Sequence, residues 1–189
     1  MKPRIVNERY SIIATDGIAD WDAPSAWEKK RFLSMEQNLK KGDILFDIGA
    51  EHGWCSAVYA QFVGAENLCL FEPSPDLWVN IRKTWQANDY PNPLRCWAGL
   101  VSDKTVEVPE NLDFDTQIVD GFPQCAWVSE IEQPAQAYRY IHNHAHSTPQ
   151  VTLDDWCERE GIAPTAITCD IEGAEMLAFR GAQKVLKEY

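Results

Sequence analysis

Ile44-Leu45-Phe46-Asp47-Ile48 is an apolar run with one acid in it, and it leads straight into Gly49. A run this short and this apolar reads as a strand buried on both faces. After the turn Gly49-Ala50-Glu51-His52-Gly53, the stretch from Trp54 to Phe62 reads as a helix closed by Gly64. A buried strand passing through a glycine turn into a helix leaves few folds open. The helix must cross back over the sheet, and the next strand then enters parallel to the first.

The following residues repeat the alternation. Asn67 to Phe71 reads as a second buried strand, Pro75 to Ala87 as a helix, and Leu94 to Leu100 as a third strand. Ahead of them, residues 1–41 are expected to form a helical lead-in. Its helix covers Ala26 to Leu39 and buries Trp27, Phe32, Leu33, Met35 and Leu39. Residues 42–189 then form the main domain. Within it, periodicity fades over residues 103–150, which read as an irregular insertion with a strand near Thr105 to Val108 and a helix near Ala135 to Tyr140. Order returns with a short strand at Val151 running into a capped helix at Thr152-Leu153-Asp154-Asp155-Trp156. A buried strand at Ala166 to Asp170 and a helix from Gly173 to Lys187 follow. A doubly wound sheet would continue with another strand there, so the expected α/β sheet is C-terminally incomplete, with an open edge through which copies could associate.

A net charge of -12 disfavours nucleic acid as a partner. Lys29, Lys30, Arg31, Lys40 and Lys41 read as a solvated helix face. No run approaches the roughly 20 apolar residues of a membrane span, and Met1-Lys2-Pro3-Arg4 is not followed by an apolar leader. The six cysteines form no C-x-x-C pair and read as reduced, structural thiols. These features together give a cytoplasmic expectation.

Three places carry chemistry. At the first turn, Gly49 permits a tight bend and Gly53 a close approach of backbone to ligand. The second is Glu72, 25 positions after Asp47 at the end of the next strand, where an acid can accept hydrogen bonds from both hydroxyls of a ribose. The pairing of loop and acid points to a nucleoside. A nicotinamide dinucleotide would require G-x-G-x-x-G, but here Ala50 and Glu51 follow Gly49, and a carboxylate repels a pyrophosphate. The ligand expected is therefore one without phosphates. The third is Asp170-Ile171-Glu172-Gly173-Ala174-Glu175. Asp170, at the carboxyl end of a strand, faces the crevice where open α/β sheets bind ligands, and there it could take a proton from a hydroxyl or help hold a divalent ion. Glu172 and Glu175 suit a helix N-terminus.

In this order, Trp27-Glu28, Gly42-Asp43 to Gly53, Phe71-Glu72-Pro73, Val101-Ser102-Asp103, Thr152-Leu153-Asp154-Asp155, Asp170 to Glu175 and Gly181-Ala182 resemble the FkbM-type methyltransferase family. The resemblance implies a class I, Rossmann-like fold and S-adenosylmethionine as methyl donor. It further implies that Asp47, Gly49, Ala50 and Gly53, with Glu51, His52 and Trp54 beside them, line the methionine side of the donor site. Glu72 would hold the ribose, with Pro73 and Ser102 nearby, and Asp170 and Glu172 would lie beside the transferred methyl. The implied reaction is O-methylation of a sugar or small-metabolite acceptor. The family usually has a lysine two positions before the motif's aspartate, where this chain has Thr168.

No metal is assigned. His142, His144 and His146 would share one face of a strand, but Asn143, Ser147 and Pro149 around them suggest a loop. Other readings stay open on the sequence: a non-catalytic, Rossmann-like interaction module or an inactive methyltransferase fragment, and, lower, a nicotinamide-dependent oxidoreductase.

Overall fold

The computed structural model describes residues 1–15, 28–106, 116–125 and 148–188. At its centre are four parallel strands, in the order β10, β3, β4, β5: β3 (Leu45–Ile48), β4 (Leu68–Phe71), β5 (Arg95–Trp97) and β10 (Ala166–Cys169). Leu45 lies between Leu68 and Ala166, and Ile48 between Phe71 and Cys169. Every residue of β3 and β4 is buried, because helices cover both faces of the sheet. The sequence expectation of a Rossmann-like α/β fold with a mainly parallel sheet is met.

On one face, Leu45, Leu68 and Leu70 pack with α1 (Lys29–Asn38), α2 (Trp54–Val63) and α3 (Leu77–Ala87). On the other, Phe46, Ile48 and Phe71 pack with α4 (Leu153–Glu160), α5 (Glu175–Arg180) and α6 (Val185–Glu188). There the Trp156 ring lies 4.8 Å from that of Phe71 and 5.1 Å from that of Phe46, centroid to centroid. Aromatic pairs at these separations add to what burial alone contributes.

Three expectations are corrected. The helical lead-in opens instead with an antiparallel hairpin, β1 (Lys2–Val6) and β2 (Tyr10–Ala14), and the described helix starts at Lys29. The alternation in Tyr10-Ser11-Ile12-Ile13-Ala14 is the signal for it: Tyr10, Ile12 and Ala14 are buried in the same core as α2, and the Asn88 side chain bonds both backbone groups of Ile13. The third strand divides at Gly99. Its second part, β6 (Leu100–Val101), leaves the main sheet to pair with β9 (Gln150–Val151). The last helix divides at Gly181, where a Cβ would lie 2.1 Å from the Ser102 carbonyl oxygen.

Inside the stretch read as irregular, β7 (Thr116–Val119) and β8 (Phe122–Cys125) form a hairpin, and Val106 bridges to Gln150. The expected helix near residues 135–140, Trp27 and the three histidines lie outside the described residues. The cap expected at α4 is present, with Thr152 accepting a hydrogen bond from the Asp155 amide at 3.0 Å. Among the described residues no helix is long and apolar enough to cross a membrane.

Candidate functional site

The connection after β3 leads to one side of the sheet and β10 lies on the other, so the ends of these two strands flank a topological switch point. Open α/β sheets bind their ligands at such a point. A cavity of about 460 Å3 lies there, within the range of small-molecule sites. Glu72, at the end of β4, borders it on one side of β3, and Asp170, at the end of β10, borders it on the other.

The glycine turn makes this proximity possible. Gly49 has φ +90°, and a Cβ on it would lie 2.0 Å from the Asp170 carbonyl oxygen. Two loops can pass this closely only where one carries no side chain. The Gly49 and Ala50 amides both donate to the Phe71 carbonyl, at 2.9 and 3.1 Å, tying the turn to β4. Gly53 serves the layer behind, where a Cβ would lie 3.1 Å from the Ile81 backbone on α3. Glu51 and Glu172 both have left-handed backbone, at φ 49° and 53°. Such strain in non-glycine residues is concentrated at functional sites.

Glu72 is buried and held at both oxygens. The Glu51 amide donates to one at 2.9 Å and the Ser74 amide to the other at 2.7 Å. Burial still pushes its carboxyl up to about 7, against the pull of those two amides. Asp47 stands behind the turn, does not border the cavity, and is held by the Ser56 hydroxyl at 2.5 Å. Burial lifts it to about 6, with the Ser56 hydrogen bond opposing. The acid that the β3 motif singles out thus ties strand to helix.

The expected site residues divide accordingly. Gly49, Ala50, Glu51, Trp54, Glu72, Pro73, Asp170 and Glu172 border the cavity, whereas Asp47, His52, Gly53 and Ser102 do not. The His52 ring meets the Asn80 amide at 3.0 Å, and burial lowers its pKa. Ser102 donates its amide to Val151 at 2.9 Å, and its carbonyl packs on Gly181. Glu175 folds back to accept the Ile171 and Gly173 amides at 3.0 and 3.2 Å, shaping the loop that presents Asp170 and Glu172.

Sequence reasoning missed Arg31. Taken for part of a solvated basic face, it reaches from α1 into the cavity and places Nη1 3.0 Å from the Asp170 carboxylate. Thr168, in the position where the resemblance leads one to expect a lysine, is buried opposite Asp47, so a cation comes to Asp170 from another element. Only the meeting of α1 and β10 brings Arg31 and Asp170 together, 139 positions apart. Ser56 was also missed, although one helical turn after Gly53 is where a hydroxyl can reach back to the strand. Among the described residues no three His, Cys, Asp or Glu side chains are grouped to hold a metal ion.

The Methyltransferase FkbM domain matches residues 47–189, from the acid of β3 through both loops that frame the cavity. No curated protein and no solved structure matches the chain. The domain match covers most of the chain and begins on the strand that carries the glycine turn, so the chain belongs to the FkbM methyltransferase family.

Proposed function

We propose that the chain transfers a methyl group from S-adenosylmethionine to a hydroxyl of a sugar or other small metabolite. The observation that carries this reading is a cavity that spans the switch point, with Glu72 on one side of β3 and Asp170 on the other. The residues present fit the donor. Apolar walls from Trp54, Phe71 and Leu77 suit an adenosyl group, and the acids Glu51 and Glu72 disfavour a pyrophosphate. Each oxygen of Glu72 that already accepts an amide retains a second lone pair, which a ribose hydroxyl would occupy. When bound, S-adenosylmethionine supplies a methyl group already activated on a sulfonium. The protein's task is then alignment of the acceptor, together with proton removal. Asp170, half-exposed at the cavity mouth, takes the proton from the acceptor hydroxyl, and Glu172 flanks it.

Calorimetric titration of S-adenosylhomocysteine tests the reading. Micromolar binding is expected, with Glu72→Ala weakening it about tenfold or more through the loss of charged hydrogen bonds to the ribose. Absence of binding to folded protein, or equal binding by Glu72→Ala, overturns it.

A further inference from the structure

Arg31 is the one cationic side chain that borders the cavity among the described residues, against the acids Glu51, Glu72, Asp170 and Glu172. It lies outside residues 47–189, so the domain match assigns it nothing. Its guanidinium is only partly engaged. Nη1 meets Asp170 at 3.0 Å and Nε lies 3.3 Å from Glu28, but Nη2 has the Cys55 sulfur at 3.7 Å, a weak acceptor. A guanidinium is built to grip one carboxylate with two parallel hydrogen bonds. The contact with Asp170 uses a single nitrogen, between an Arg31 side chain that is 25% exposed and a carboxylate that is 52% exposed. A carboxylate that engages two nitrogens in parallel is the better match for the guanidinium and can replace Asp170.

The methyl donor of the proposed function ends in an α-amino acid. Its ammonium and sulfonium suit the acids of the cavity. Its carboxylate is repelled by all of them, and among the described residues Arg31 is its one cationic complement there. We infer that Arg31 binds the donor's carboxylate, and that loading the donor moves Arg31 off Asp170 and leaves that carboxylate free for the acceptor hydroxyl. The inference rests on the methyl-donor reading.

Two probes separate this from a structural role. S-adenosylhomocysteine carries the carboxylate, and 5′-methylthioadenosine is the same nucleoside thioether without the amino-acid end. Both are titrated into wild type, Arg31→Gln and Arg31→Lys. The expected result is that Arg31→Gln weakens S-adenosylhomocysteine about tenfold or more while 5′-methylthioadenosine stays within about twofold. Arg31→Lys, which keeps the charge but loses the fork, falls between. Unchanged S-adenosylhomocysteine affinity in Arg31→Gln, or equal weakening of both probes, overturns the assignment and leaves the donor reading standing. Failure of both probes to bind wild type overturns the donor reading and the assignment with it.

Discussion

Gly49 and Gly42 share a backbone angle, φ +90°, and differ in what surrounds them. A Cβ on Gly42 would meet nothing within 4 Å, while one on Gly49 would lie 2.0 Å from the Asp170 carbonyl oxygen and 3.0 Å from its carbon. Gly42→Ala therefore measures the cost of the backbone angle alone, about 1–3 kcal/mol for a non-glycine residue in that region. Gly49→Ala carries the same cost and must also push two backbone segments apart, since carbon–oxygen contacts close at about 3.3 Å. The shift needed exceeds 1 Å, and neither partner is a side chain that can rotate away. Forced overpacking typically costs about 1–3 kcal/mol, so Gly49→Ala should be less stable than Gly42→Ala by about 2 kcal/mol. That is a large share of the roughly 5–15 kcal/mol that holds a domain folded. Urea unfolding followed by tryptophan fluorescence reads the difference, with an unchanged slope confirming that the unfolded states are comparable. If the two variants differ by less than about 0.5 kcal/mol, the close passage of the two loops is not what requires glycine at position 49.

Two further outcomes are expected. Asp170→Asn should leave S-adenosylhomocysteine affinity in place and lower turnover on any hydroxyl acceptor by about a hundredfold or more; undiminished turnover would remove Asp170 as the base. Glu72, raised by burial from an ordinary 4.5 to about 7, holds its proton more firmly folded than unfolded, so its contribution to stability is complete below pH 4.5 and disappears as pH rises through 7. Glu72→Gln should flatten the fall in urea stability across that window by about 3 kcal/mol, and a fall of undiminished size would place its origin elsewhere.

Much of this protein was legible in its residues because local patterns encode it. The apolar run of β3, interrupted only by Asp47, reads as a strand covered on both faces, and the turn at Gly49 with Glu72 at the end of the next strand marks where the cavity lies. Asp170 was found in the same way, from its place at a strand end. The hairpin at Lys2–Ala14 was legible too, in the alternation of β2, but it is short and was lost beside a stronger helical pattern. The tertiary structure decided which of the motif residues face the cavity. Asp47 and Gly53 stand in the same motif as Gly49 and Glu51, yet strand alternation sends the Asp47 side chain to α2 and the turn sets Gly53 against α3. Arg31 was beyond reach for a further reason. In the sequence it is one of several basic residues on a helix, and nothing local distinguishes the one that is pulled in. That distinction arises where α1 packs beside the end of β10, because an ion pair depends on separation in space and is indifferent to separation along the chain.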